Sequence, residues 1–285
     1  MKIKQYIYTL LPRPLQKVVK SIYFDGLIYP LYKIRYRFHY GAWDFFDSIA
    51  IETTTYCNLR CKNCPNSLYD RGTLKNRKLM NMDIFKKIVN ELAEVKYNGK
   101  ILLHFYGEPL TDERLPSLVR YVREKLPEST IHLNTNGFLL TVDIYKKLIE
   151  AGASAFLITQ YGEKMPKNVK KLFDYLKASN FPNKIKYRVL GKDIALSNRG
   201  GELKIKKSTD YDRPVCTYPD NSVIIDYLGN IVLCCNDYHS SIKFGNLRGE
   251  KLVDIWNKAS YKNLRKEVRK GIFKLPICRK CVGLE

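Results

Sequence analysis

Between residues 48 and 190, β-branched and aromatic runs alternate with amphipathic stretches, and this alternation limits the fold more than any other feature. Ser48–Thr54, Lys100–Tyr106, Thr130–Thr135, Ala155–Thr159 and Ile185–Leu190 read as strands. Asn81–Lys96 carries Ile84, Phe85, Ile88, Val89, Leu92 and Val95 at helical spacing. Thr111–Leu126, Thr141–Ala151 and Lys167–Ser179 are the other helices, and Thr141 and Gly152 punctuate theirs as N-cap and stop. Strand–helix units of these lengths build a parallel sheet, because each helix returns the chain to the start of the next strand. Five units are visible, and a sixth strand is expected near Leu203. The count fits an open doubly wound sheet and a partial barrel equally.

The text changes on both sides of this region. Residues 1–45 hold eight Lys/Arg against Asp25 and Asp44, with seven tyrosines, and Leu11, Leu15, Val18, Val19, Ile22 and Tyr23 fit one face of a basic helix. After Gly201, Val223–Asp226 and Ile231–Cys234 flank a Gly-containing turn and read as a β-hairpin. Lys251–Trp256 and Tyr261–Val268 then read as helices. The expected division is a basic Tyr-rich segment over 1–45, a main α/β domain over 46–205 and a small α+β domain over 206–285.

No stretch reaches the ~18 uncharged apolar residues of a membrane helix, and the N-terminus lacks a signal-peptide pattern, so the expected location is cytoplasmic. Cytosolic thiols stay reduced, so the eight cysteines call for metal ligation rather than disulfides. Cys57, Cys61 and Cys64 follow the first strand with spacing C-x3-C-x2-C. A structural zinc site wants four ligands, with His104 available as a fourth; three thiolates suit an iron–sulfur cube with one iron open to a small molecule.

This trio after a first strand, in a repeated strand–helix chain, resembles the radical S-adenosylmethionine (SAM) superfamily. Tyr106-Gly107-Glu108-Pro109 ends the second strand and is similar to the family's Gly-Gly-Glu motif, with Tyr106 in place of the first glycine. Asn134-Thr-Asn136-Gly137 ends the third strand, where the family often has an Asn-Gly turn. Asn63 replaces the aromatic residue that often precedes the third cysteine. The resemblance implies a partial (β/α)6 TIM-like barrel in which the trio holds a [4Fe–4S] cluster. Glu108 and Asn134 would help to bind SAM, with Tyr106, Gly107, Pro109, Asn136 and Arg188 as further contacts. It also implies reductive cleavage of SAM to a 5′-deoxyadenosyl radical that takes a hydrogen atom from the substrate.

Cys216, Cys234, Cys278 and Cys281 are similar to the ligands of the family's short auxiliary-cluster domain, the twitch form of the SPASM domain. The resemblance implies a second, fully ligated [4Fe–4S] cluster, although four cysteines also satisfy zinc. Cys235 is left over. If Cys234 faces the cluster, its strand neighbour faces away. Cys235 is then either a small buried hydrophobe or a hydrogen-atom donor that quenches a substrate radical.

The twitch form resembles dehydrogenases that oxidise a sugar or cyclitol alcohol, which is the function expected here. A peptide-modifying maturase or an epimerase is the alternative enzyme, and a non-catalytic zinc protein that binds nucleic acid is the alternative from another class. A flavodoxin- or ferredoxin-type electron donor is implied. The net charge of +22 calls for an anionic contact, and an anionic membrane surface beside the N-terminal segment is one candidate. No aromatic-plus-basic motif of a standard RNA module appears, which argues against nucleic acid. His104 and His132 are expected as satisfied core histidines, and Arg199 as either an anion contact or part of a glycine turn.

Overall fold

The computed structural model describes residues 29–194, 196–205 and 215–285. The expected helix over Leu11–Tyr23 lies outside them. The chain separates into two compact units, residues 1–45 and 46–285. In the first, α1 (Tyr29–Tyr40) is followed by a turn in which Arg37 donates to the Gly41 carbonyl, and Tyr40 stacks on Phe45 with ring centroids 4.1 Å apart.

The second unit is built on one eight-stranded sheet in the order β5-β4-β3-β2-β1-β6-β7-β8. Strands β1 (Ser48–Ile51), β2 (Lys100–Leu102), β3 (Thr130–Thr135), β4 (Ala155–Gln160) and β5 (Ile185–Val189) run parallel in sequence order. Four amphipathic helices alternate with them or lie between: α2 (Met82–Glu94), α3 (Leu115–Lys125), α4 (Val142–Glu150) and α5 (Lys167–Ala178). Helix α2 buries Ile84, Phe85, Ile88, Val89 and Leu92, five of the six residues its periodicity marks, while Val95 is its half-buried C-cap. The Asn81 side chain accepts from Asp83 N–H, and Thr141 accepts from Ile144 N–H, so both helices start where a side-chain oxygen satisfies an otherwise orphaned donor.

Near Leu203 the chain makes a short turn (Arg199–Gly201) and, among the described residues, no strand, so the sixth parallel strand is not found there. It is β6 (Ser222–Ile225), which pairs with β1 from Ser48↔Ser222 to Ile51↔Ile225. The chain therefore closes the sheet from the β1 side, using a strand of the expected C-terminal hairpin. β7 (Asn230–Val232) and β8 (Lys243–Asn246) continue antiparallel from it. Residues on either side of position 205 thus share one sheet. Val223 and Ile225 are wholly buried, so pairing with β1 covers apolar surface that an isolated two-stranded hairpin would leave wet.

Three further helices follow α6 (Tyr218–Asn221): α7 (Leu252–Asn257), α8 (Ala259–Arg269) and α9 (Pro276–Val282). Trp256 is fully buried, edge-on to Phe46 and Tyr261, with the Arg265 guanidinium 3.7 Å from its ring centroid. Emptying such a site by truncation to alanine costs about 3–5 kcal/mol. Arg265 is tolerated there because it also donates to the Trp256 carbonyl at 2.9 Å and lies over an aromatic face.

Candidate active site

Strands β1 to β5 deliver side chains from their C-terminal ends to one cavity of about 410 Å³. Such an edge is where parallel α/β folds place chemistry, because loop residues there converge without interrupting the sheet. The loop after β1 brings Cys57, Leu59, Cys61 and Cys64. The loop after β2 brings His104, Phe105, Tyr106, Gly107 and Glu108, β3 brings Asn134, Thr135 and Asn136, β4 brings Thr159 and Tyr161, and β5 brings Arg188. Arg199, Tyr218 and Cys235 arrive from the C-terminal part, and the cavity runs down to Ser48, Lys100 and Ser222 at the strand starts.

Glu108 anchors the wall. Its Oε1 accepts from Thr135 Oγ1 (2.6 Å) and Leu110 N–H (3.3 Å), and its Oε2 accepts from Asn136 N–H (2.9 Å). Burial pushes its carboxyl up to about 7, against the opposing pull of these donors. Oε2 keeps a lone pair for a ligand cation. Asn136 also donates to Asn58 Oδ1 at 2.9 Å, which ties the third strand end to the cysteine loop. Pro109 starts a short 3₁₀ turn, is buried, and is not among the lining residues. Gly107 has a steric reason: a Cβ there would meet the Thr54 carbonyl oxygen at 2.0 Å.

Tyr106 fills the place of a glycine because its ring has somewhere to go. It lies edge-on to Tyr238 (4.8 Å), and its hydroxyl donates to the Cys235 carbonyl at 3.0 Å. The side chain thereby joins the second strand end to the turn after β7.

The sequence pattern gave no signal for Glu52 and Arg71. Glu52 is wholly buried just past β1; its Oε2 accepts from Arg71 (2.6 Å) and Tyr227 N–H (3.2 Å). Burial pushes it up to about 7, with Arg71 pulling the other way. Arg71 lies over the Phe105 and Tyr238 rings and donates to the Tyr238 carbonyl, so one guanidinium holds the loop after the trio to the C-terminal segment. Tyr161 and Thr159 are also lining residues that periodicity alone could not single out.

The expectation that His104 is a satisfied core histidine fails. Its Nε2 lies 3.2 Å from Asn134 Nδ2, while its Nδ1 is buried without a partner. With the amide as donor, Nε2 accepts and Nδ1 carries the proton. Burial, reinforced by Arg188, drives its pKa down to about 4, so the ring is neutral near pH 7 and presents an unused N–H donor. His132 does not line the cavity.

A second, smaller cavity is lined by Cys216, Cys234, Cys278 and Cys281, with Val268, Phe273 and Ile277. Residues 278 and 281 sit one turn apart on α9 and so share a face. Asn236 donates from its backbone to Cys234 Sγ (3.4 Å) and from its side chain to Cys281 Sγ (3.5 Å). Cys234 and Cys235 lie beyond the end of β7 rather than within it, yet they face opposite ways: Cys234 lines this cavity and Cys235 the main one.

Both donor sets fit iron–sulfur clusters. Burial pushes Cys57 and Cys278 up to about 12 and Cys61 up to about 11, with neighbouring cysteines adding to each shift. Such thiols ionise only when a cationic inorganic core compensates them. No disulfide joins the described cysteines, and among the described residues no three His, Cys, Asp or Glu side chains converge as they would on a single ion. His104 is engaged with Asn134 rather than completing a zinc site with the trio.

A barrel-type parallel sheet with three buried thiols after its first strand, and a ligand cavity beside them, defines a cluster-dependent α/β enzyme. The radical SAM superfamily matches residues 51–191, and SPASM, an iron–sulfur cluster-binding domain, matches residues 216–282. The S-adenosyl-L-methionine-dependent 2-deoxy-scyllo-inosamine dehydrogenase of Niallia circulans is 30% identical over 237 residues, covering 83% of this chain and 92% of that protein. A GTP 3′,8-cyclase of Clostridium perfringens is 37% identical over 107 residues, 37% of this chain and 32% of that one. The structure of BtrN in complex with AdoMet and 2-DOIA superposes with a TM-score of 0.74 at 28% identity, covering 84% of this chain and 93% of that one. This chain belongs to the radical SAM superfamily. It is a radical SAM enzyme with a C-terminal SPASM domain, whose cofactors are SAM and two iron–sulfur clusters.

Proposed function

We propose that this enzyme oxidises a secondary alcohol of a sugar or cyclitol. The relative that matches over most of both chains is named as a cyclitol-amine dehydrogenase, and BtrN was crystallised with 2-DOIA. One observation carries the reading further: the consecutive residues Cys234 and Cys235 line the two cavities, so the second cysteine set lies one stretch of backbone from the substrate space. Alcohol oxidation must export an electron after the first C–H bond is broken, and this arrangement gives it a short exit.

In this reading Cys57, Cys61 and Cys64 hold a [4Fe–4S] cluster with an open iron, within residues 46–205. Cys216, Cys234, Cys278 and Cys281 hold a fully ligated one, within residues 206–285. When bound, SAM and the first cluster supply a carbon radical able to take a hydrogen atom from an unactivated C–H bond. The chain's own residues bind and orient. Glu108 Oε2 receives the methionine ammonium; Asn134, Asn136 and the Tyr106–Gly107 backbone line the cofactor face, with Arg188 opposite. Pro109 acts from behind, by fixing the turn that sets the Glu108 backbone. A flavodoxin- or ferredoxin-type protein delivers the electron. The test is anaerobic incubation of the reconstituted enzyme with SAM, reductant and a panel of sugars and cyclitols. One ketone formed per deoxyadenosine is the expected result; modification of peptides alone, with no ketone from any polyol, overturns the reading.

A second reading follows from Cys235, which lines the same cavity as the cysteine trio. A thiol there is placed to return a hydrogen atom to a substrate radical, which yields an epimer instead of a ketone; the thiyl radical left on Cys235 is restored by one electron from the flavodoxin- or ferredoxin-type donor and one proton from solvent. Thiol hydrogens exchange with solvent, so in D₂O the epimer carries one deuterium, and Cys235→Ala stops its formation. A ketone without deuterium sinks this second reading.

The first unit has its own proposed partner, an anionic membrane surface. Helix α1 leaves Leu31, Ile34 and Phe38 exposed (59%, 45% and 87%) at one-face spacing, with Trp43 following at 57%. Lys33, Arg35 and Arg37 are on the same helix, a basic and aromatic pattern that suits an interface with anionic lipid. No helix among the described residues is long and apolar enough to cross a membrane. The protein is expected to sediment with anionic vesicles and not with neutral ones; no difference between the two overturns the proposal.

A further inference from the structure

The charges lining the main cavity do not suit a cationic substrate. Among the described residues, Glu108 is the only carboxylate that lines it, whereas Arg188, Arg199 and Lys100 all do. Glu108 is the group expected to meet the cofactor's ammonium, so among the described residues no acidic side chain remains for a substrate amine. SAM brings a single carboxylate, which one guanidinium can neutralise, and a second guanidinium is left over.

That second group is Arg199. Its Nε is buried without a hydrogen-bond partner, although a guanidinium has five donors to place. Its backbone is also unusual: φ is +53°, and Gly200 (+72°) and Gly201 (+94°) continue in the same region. A non-glycine residue held there costs of order 1–3 kcal/mol, which surrounding structure must offset. The offset is visible. Asn198 Nδ2 donates to the Lys280 and Cys281 carbonyls (2.9 and 3.1 Å), which clamps the turn to α9. A Cβ on Gly201 would meet Lys280 Cβ at 2.7 Å, so the turn fits closely against that helix. The fold thus spends strain to aim Arg199 into the cavity.

We propose that Arg199 forms an oxyanion subsite for the substrate, with Arg188 serving the cofactor carboxylate beside it, so that the alcohol oxidised here carries a carboxylate or phosphate instead of an amine. A guanidinium facing a cavity recognises planar or tetrahedral oxyanions through paired N–H donors. Arg188 engages Thr159 Oγ1 through Nε alone, at 3.0 Å. Burial and the neighbouring Arg199 charge both work against the Arg188 cation, a tension that a bound anion relieves. The neutral His104 lines the same cavity, and its Nδ1 is buried without a partner.

The subsite rests on the reading of the cavity as the place of alcohol oxidation, but its test does not use turnover. Reconstituted holoenzyme saturated with SAM is titrated calorimetrically with methyl glucuronide, glucose 6-phosphate, methyl glucoside and glucosamine. At least one anionic probe is expected to bind tenfold or more tightly than glucosamine, and which one does separates carboxylate from phosphate. Arg199→Gln is expected to remove that preference, and Arg199→Lys to keep part of it. Equal binding, no binding, or a preference for glucosamine overturns the proposal. So does an Arg199→Gln protein that loses affinity for SAM alone, or loses iron, with the probe preference intact. In the last two cases Arg199 serves the cofactor carboxylate or balances the Cys64 charge. Deoxyadenosine release measured on the same samples reports separately on the radical chemistry.

Discussion

Replacing Cys57, Cys61 and Cys64 together with alanine is expected to reduce deoxyadenosine formation to background and to remove about four of about eight irons per chain. The three thiols share one loop and one cavity with Glu108 and Asn136, and that loop is tied to the barrel at several points. Asn66 donates to the Tyr106 carbonyl and accepts from the Tyr238 hydroxyl, and Arg60 donates to the Asn66 carbonyl. Removing the sulfurs leaves these tethers in place, so the triple variant is expected to fold. Burial holds the thiols neutral in the absence of a cationic core, and alanine in their place leaves no uncompensated charge. Circular dichroism that matches the parent, together with lost cleavage, assigns the loss to the cluster. Retained cleavage in the triple variant overturns the assignment of the trio.

Much of this architecture is legible in the sequence because its elements obey local rules. Thr130–Thr135 is a strand with the bounds that its pattern marks, and Thr141 caps the helix it was expected to cap. The C-x3-C-x2-C spacing singles out the candidate cluster loop because three sulfurs within eight residues have few other uses. Long-range pairing is a different matter. Nothing local in Ser222–Ile225 says that it will lie beside β1 rather than stand in a separate hairpin; the choice is made by the apolar surface both strands bury. Glu52 and Arg71 are silent for the same reason: a buried ion pair between positions 19 apart, with Tyr227 as a third partner, has no periodicity. The opposite facing of Cys234 and Cys235 is correct on strand alternation, although both residues lie past the strand end, where a turn sets their directions.

The C-terminal cysteines give the sharpest contrast with the trio. Cys278→Ser combined with Cys281→Ser is expected to lower iron by about half while leaving reductant-dependent cleavage of SAM measurable. Ketone formation, in contrast, is expected to disappear. The two residues share one face of α9, and Cys281 accepts from the Asn236 amide that also abuts Cys234 through its backbone N–H. Hydrogen bonds to sulfur of this kind raise a cluster's reduction potential, which favours taking an electron from a substrate radical. The same helix anchors the Arg199 turn through Asn198, so damage to the second site also loosens a residue of the first cavity. The two consequences separate by measurement. Loss of the electron exit leaves probe binding at the substrate cavity intact and stops only the net oxidation, whereas a loosened Arg199 lowers binding as well. Iron content equal to that of the parent overturns the assignment of the second cluster to these cysteines. A variant with half the iron that still makes ketone at the parental rate keeps the cluster but removes its part in the reaction.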